Sequence, residues 1–546
     1  MTAALRIFTQ VARSAALVRV VGAYALFIIT EYAVWIAMLV YAYAHGGATQ
    51  AGLIALAQLL PAAVVAPLAS GLADHHPPVL VLAGGYVAQA LGTAATAAAI
   101  LSGAAPLFAY AGAVVASAAV SLTRPAQAVV VPGLTVDANE LTATNALIGW
   151  IESVSIMVAG ALVGVILAVW SVGWVFAAAT VLLAGAIVLV SPLRARQPGR
   201  GTGGSSVLAH VADGFGEVYR SPPARLLVGM LAAEDVVMGA LDVLFVVVAI
   251  DLLGAGQAWA GYLNTAYGAG GVVLGSLGAL FVGRRLGPVI AVSAVLLGVV
   301  LAATSLTSNR AVVVALLALV GGSRALFEVA TRTLLQRAVA AEMVARVFGL
   351  AEGLNMAGLA VGSVLAPALV ALGGDRVALA GVAAVLPLVV AVKGRLLMRI
   401  DQHAQVPVVE ISLLRSIPLF RVLPGPSLEG LARALQRVQY PAGATLTREG
   451  AAGDRYYAVA DGTVEIIQGG RSIARLGRGT GLGEIALLRG GPRTATALAE
   501  TPVTAYALDR ESFLTAVNGH VPTLRSATDM IDDQLERDRR RGPGAS

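Results

Sequence analysis

The sequence predicts two fold classes in one chain: an all-α membrane domain of twelve spanning helices in two pseudo-repeated halves of six, followed by a soluble β-roll with flanking helices. Three observations predict this. The 546 residues are 58% hydrophobic and only 12% charged, with a mean hydropathy of +0.81, whereas a soluble domain carries about a quarter charged residues. The apolar excess stops near Leu397, and after Arg399 the pattern alternates polar and apolar in short runs. Basic residues cluster in alternate loops between the apolar runs.

A spanning helix needs roughly 20 apolar residues. Such runs fall near 18–44, 48–72, 78–102, 105–131, 141–170, 172–192, 224–250, 257–282, 286–306, 310–335, 342–371 and 375–397. With the N-terminus inside, the cytoplasmic loops carry Arg194, Arg196, Arg200, Arg220, Arg225, Arg284, Arg285, Arg337 and Arg346, and Lys393, Arg395 and Arg399 follow the last span. The opposite loops carry only Arg310 and Arg376. That asymmetry places both termini in the cytoplasm of a multi-pass protein of the inner or plasma membrane. It also accounts for the pI near 9.7 without nucleic acid as a partner. No cleavable leader is expected, because the first apolar run continues as a span. The expected divisions are a first half at 1–192, a cytoplasmic linker with a surface helix at 193–223, a second half at 224–397, a linker at 398–412 and a soluble domain at 413–546.

The halves resemble each other in the manner of a parallel internal repeat. GGATQAGLIALA after the first span matches GAGQAWAGYLNTAYG after the seventh, which pairs Gly52 with Gly261. Spans five and eleven pair Glu140 with Glu342 and Gly160 with Gly362. The segments RPAQAVVVPGLTVDANELTATNAL (124–147) and TRTLLQRAVAAEMVARVFGL (331–350), with Gly71, Leu72, Ala73 and Asp74 after the second span, resemble the major facilitator superfamily, in its bacterial enterobactin-exporter-like and macrolide-efflux-like branch. The resemblance implies a transporter of a small-molecule substrate, surrounded by membrane lipid. Two departures stand out. Ser70 replaces the expected first glycine of the loop motif, and His75, His76, Pro77 and Pro78 replace its basic residues.

Ionisable residues inside apolar runs are costly, about 2.5 kcal/mol or more at mid-membrane, and therefore face a cavity or a partner. Glu31 lies mid-span in the first helix, and Asp242 lies at similar depth in the seventh, 19 residues before Gly261 against 21 between Glu31 and Gly52. These two are the leading substrate- or proton-coupling carboxylates, with Asp235 and Glu152 behind them. Arg324, Glu328 and Arg332 recur every fourth residue, the spacing of a charge ladder on one helix. Asp74, Arg124 and Arg332 are read as conformational-gating residues, with Arg124, Arg332 and Glu352 near the cytoplasmic rim, where ion pairs between the halves form and break. The plainer reading of Glu31 and Asp242 is a satisfied hydrogen bond between helices.

The soluble part opens with an amphipathic lead-in at 410–423. Short strand-like runs then alternate with Gly443, Gly450, Gly462 and Gly479 at turn positions, the pattern of a small barrel. GLGEIALLRGGPRTATA (481–497) places a Gly-Glu pair before a short helix and an arginine after a glycine turn. Free amides at a helix start bind anions, an arginine adds charge-assisted bonds, and a carboxylate accepts from a ribose hydroxyl. This segment resembles the phosphate-binding cassette of cyclic-nucleotide-binding domains. The resemblance implies cAMP or cGMP as regulatory ligand, contacted by Leu482, Gly483, Glu484, Ile485, Ala486, Pro492, Arg493, Thr494 and Ala495. Leu482 stands where a phenylalanine is common, and Thr494 leans toward tolerating cGMP. Residues 520–541 read as a helix that closes over the base.

Cysteine is absent, which removes disulfides, thiolate catalysis and Cys-based metal sites. With no hydrolase elbow and no metal cluster, no enzyme and no cofactor is expected. The reading is a secondary active exporter of an amphiphilic or hydrophobic small molecule, regulated by cAMP or cGMP. A lipid or lysolipid flippase of the same fold, and a membrane-anchored nucleotide receptor without transport, stay open beside it. Oligomeric state is not legible.

Overall fold

The computed structural model describes residues 14–75, 77–134, 138–193, 216, 218–276, 284–339, 341–403, 408–421, 423 and 425–518. The expected linker helix at 205–220, apart from its last few residues, and the lid helix at 520–541 lie outside the described residues. The chain forms two compact units, the first of 1–136, 143–278 and 285–405 and the second of 406–546 with the short segments 137–142 and 279–284.

The first unit is helical. Its elements are α1 (Ala15–His75), α2 (Pro78–Leu101), α3 (Pro106–Leu134), α4 (Ala138–Val169), α5 (Val172–Val190), α6 (Pro222–Val247), α7 (Ala258–Gly275), α8 (Gly287–Thr304), α9 (Arg310–Ala338) and α10 (Ala341–His403). A single π-turn, Val248–Leu252, extends α6. The breaks expected at 45–47 and 372–374 fall inside α1 and α10, where the helix is interrupted at glycine: Gly47 adopts φ 64° in α1 and Gly374 φ 79° in α10, a left-handed geometry that other residues enter at a cost. Each long helix is thus two arms joined at a sharp bend.

Among the described residues, eight helices are long and apolar enough to cross a membrane. Their outward faces are hydrophobic as well: Leu80, Leu91, Phe108, Val181, Val188, Val299 and Leu388 are all exposed. Apolar surface on this scale suits lipid and not water. Within the bundle, backbones approach closely at small residues. A side chain at Gly52 would strike Ser363 and Pro367 of α10, and one at Gly261 would strike Gly160 and Gly164 of α4. Gly239 and Gly362 bring α6 and α10 together in the same way.

The second unit is a β-roll with helices at either end: α11 (Val408–Ser416), α12 (Gly425–Ala434), β1 (Gln436–Tyr440), β2 (Thr445–Thr447), β3 (Arg455–Asp461), β4 (Val464–Gln468), β5 (Arg471–Leu476), β6 (Gly481–Leu482), α13 (Glu484–Arg489), β7 (Thr496–Ala499), β8 (Val503–Asp509) and α14 (Arg510–Asn518). Two antiparallel four-stranded sheets run β1-β8-β3-β6 and β2-β7-β4-β5. Gly443, Gly450, Gly462 and Gly479 all have φ between 81° and 89°, so the turns read from the sequence are the positions that need glycine. One core joins the helices to the roll. Phe420 of the lead-in packs edge-on against Tyr456 and Phe513, which stack on each other, with Ile417, Leu419 and Leu508 buried around them. A second core between the sheets holds Tyr457, Val459, Val464 and Ala505. The lead-in is therefore an integral part of this domain.

Candidate functional sites

The helical unit encloses a cavity of about 420 Å³. Glu31 sits mid-way along the first arm of α1 and lines it, as do Arg124, Glu152, Asp235 and Asp242. The Arg124 guanidinium holds both oxygens of Glu31, at 2.9 and 3.0 Å, and reaches Glu152 at 3.4 Å. Arg124, expected near the cytoplasmic rim, thus meets Glu31 of α1 and Glu152 of α4 at the cavity. Asp242 is bound differently. Its Oδ2 accepts from the indole of Trp35 at 3.1 Å, one turn along α1 from Glu31.

The second charge group centres on α9. Arg324 donates to buried Glu234 of α6 at 2.5 Å and to Glu328 at 3.2 Å. Arg332 binds Glu328 at 3.1 Å and lies 3.9 Å from Glu352. The i, i+4 ladder of α9 is thus formed. The pairs of Arg332 run to Glu328 on the same helix and to Glu352 of α10. Asp235 accepts from the amide of Asn355 at 2.5 Å. The side chain of Asp74 lies outside the described residues. Sequence reasoning missed Trp35 and Asn355: an apolar indole and a lone amide inside hydrophobic runs carry no charge to draw notice.

In the roll, Gly483 takes φ 96° and opens α13 at Glu484. Arg493 is 5% exposed. It donates to the carbonyl oxygens of Gly483 (3.2 Å) and Arg455 (2.7 Å) and to Asp454 (3.3 Å). Glu484 is 7% exposed, and its Oε2 is buried with no hydrogen-bond partner. Burial pushes its carboxyl up from the ordinary value, against the pull of its backbone bond and of Arg493. An orphaned buried carboxylate oxygen is costly, and this one borders a cleft of about 80 Å³ lined by Leu482, Gly483, Ile485, Ala486, Arg493, Thr494 and Ala495. Pro492 does not line it: its backbone bridges to Ala452, so it fixes the turn that aims Arg493. Ile466, Gln468 and Ile473 form the opposite wall. The sequence reading passed over them because they continue the ordinary alternation of β4 and β5.

Comparison with known proteins decides the family. A model of the Major Facilitator Superfamily matches residues 20–351. The chain belongs to the major facilitator superfamily. This facilitator carries at its end a second match, to the cyclic nucleotide-binding domain, over residues 437–520. A cAMP-dependent protein kinase regulatory subunit of Debaryomyces hansenii is 38% identical over 97 residues, 17% of this chain and 22% of the relative. A cGMP-dependent protein kinase of Eimeria tenella is 32% identical over 129 residues, 23% and 13%. A cyclic nucleotide-gated potassium channel of Mesorhizobium japonicum is 38% identical over 101 residues, 18% and 28%. The facilitator spans between 13% and 28% of the length of such relatives. Among solved structures, the regulatory domain of Toxoplasma gondii PKA with cAMP is 28% identical over 22% of this chain and 46% of that one, with a TM-score of 0.21.

Proposed function

We propose that this facilitator exports an amphiphilic or hydrophobic small molecule and that cAMP or cGMP, held in the roll, biases its cycle. The observation that carries the regulatory half is the pairing of buried Arg493 with the orphaned Oε2 of Glu484 at one cleft. A cyclic nucleotide supplies a ribose hydroxyl for the partnerless carboxylate oxygen and a phosphodiester for the remaining N–H donors of the guanidinium. In this reading the cleft takes the phosphoribose end, and 520–541, outside the described residues, is the proposed lid over the base.

For the transport half, Glu31, Asp242, Asp235 and Glu152 line the cavity and are the proposed substrate and coupling groups. Counting both arms of α1 and of α10 gives twelve proposed spans in two halves of six, divided at 193–223. The seams at Gly52 and Gly261 suit that reading, since they exchange equivalent partners: α1 against α10, α7 against α4. The proposed setting is the cell membrane with both termini cytoplasmic, and gating falls to Asp74, Arg124 and Arg332.

Calorimetric titration of the full-length protein with cAMP and with cGMP tests the regulatory reading. Saturable binding is expected, weakened about a hundredfold in Arg493→Ala, the worth of a two-pronged charged contact. Absence of heat with both nucleotides, from a protein that melts cooperatively, would reject it.

A further inference from the structure

The charges around the central cavity are unequal. Five carboxylates line it, those of Glu31, Glu152, Asp235, Asp242 and Glu352, against the two guanidinium groups of Arg124 and Arg324. Neither guanidinium is left over for an anionic ligand. Arg124 is held by both oxygens of Glu31, and Arg324 by Glu234 and Glu328. Among the described residues, Asp235 and Asp242 have no basic group within ion-pairing distance. Their hydrogen-bond partners are the neutral donors Asn355 and Trp35. Seven residues apart on α6, they stand two turns, about 10 Å, from each other along one helix face.

A carboxylate withdrawn from water with only neutral donors is under-compensated: Asp235 is buried and Asp242 half-buried, and both border this cavity. Aromatic rings lie beside Asp242. Trp35 touches it, and Phe245, three residues on, meets Tyr267 edge-on at 5.5 Å. Carboxylates beside ring faces attract organic cations. A second unfilled group adjoins Glu31: the Thr30 hydroxyl lines the cavity, is 2% exposed and has no hydrogen-bond partner. The rest of the wall includes Ile36, Leu59, Val120, Ile156 and Leu359, which suits an apolar body. The volume of about 420 Å³ falls within the range of drug-sized ligands.

From these contacts we infer that the cavity takes a hydrophobic organic cation, with its charge at Asp242 against Trp35 and the Phe245–Tyr267 pair, and with Asp235 as the second acidic station. This rests on the cavity being the transport site and adds the charge class of the substrate. Equilibrium dialysis of the full-length protein in nanodiscs, with empty nanodiscs subtracted, compares tetraphenylphosphonium with its same-shaped anion tetraphenylborate. Ethidium serves as a flat second cation, and cAMP binding is measured on every sample. Saturable cation binding is expected, weakened about tenfold or more in Asp242→Asn and also weakened in Asp235→Asn, with no saturable binding of tetraphenylborate. Equal retention of both ions, cation binding unchanged in both variants, or no saturable binding of either cation would overturn the inference. If cAMP binding persists in those samples, the regulatory reading survives that failure, whereas loss of nucleotide binding by the unaltered protein rejects the regulatory reading alone.

Discussion

Glu484 shows how a single side chain is set for a ligand at the expense of the empty fold. Burial raises its carboxyl above the ordinary value, so folding shifts the group toward its protonated form relative to the unfolded chain. A group raised in this way contributes stability that is fully present below its unfolded value and is lost as pH rises through the folded one. The empty protein is therefore expected to lose stability toward neutral pH, and Glu484→Gln to remove that slope and raise the melting temperature in neutral buffer. The same substitution weakens nucleotide binding by about tenfold or more, because a bond to a charged acceptor becomes a bond to a neutral one. Thermal melts across pH, run beside calorimetry, check both signs together. Stability and affinity falling in step would mean that Glu484 is a structural residue. The cassette was legible in the sequence because Gly483, Glu484 and Arg493 are consecutive parts of one local device. The bond between Glu31 and Arg124 was not, because it joins residues 93 positions apart, and a side chain's depth follows from helix packing that no single run encodes.

At the scale of elements, the apolar runs placed the helices and one of their joints. The break expected between 44 and 48 falls at Gly46 and Gly47, where the backbone leaves helical geometry inside α1, because a run of apolar residues ends where the chain must turn at the surface. Glycine spacing carried more. The Gly52 and Gly261 match, drawn from sequence similarity alone, falls on two backbone contacts between helices of different halves. A leucine at Gly261 would press on the backbone of Gly160 and Gly164. Overpacking of this kind costs about 1–3 kcal/mol, and here it would wedge α7 away from α4. Because the chain has no cysteine, a reporter introduced as Ala258→Cys is unique. Gly261→Leu is expected to raise its labelling by an impermeant maleimide several-fold and to suppress transport, whereas Gly149→Ala, at an open position of α4, is expected to change neither. Unaltered labelling in Gly261→Leu would mean that this seam does not open and close.

For the molecule as a whole, the question is whether the roll and the cavity share free energy. A regulator acts only by binding two transporter states unequally, and the coupling is reciprocal. If cAMP changes the affinity for a cavity ligand by some factor, that ligand changes the affinity for cAMP by the same factor. Couplings between sites are commonly about 1–3 kcal/mol, a shift of roughly 5–150-fold. Titrating cAMP into the full-length protein with and without saturating tetraphenylphosphonium, and then reversing the order, should give two equal shifts in that range. Arg493→Ala should abolish the effect of cAMP on the cation while leaving cation binding itself in place, and Asp242→Asn should do the converse. Equal shifts would establish one thermodynamic cycle linking the two units. Independent binding at both sites would separate them, and the roll would then act as a membrane-anchored receptor whose occupancy is read by something other than the transport cycle.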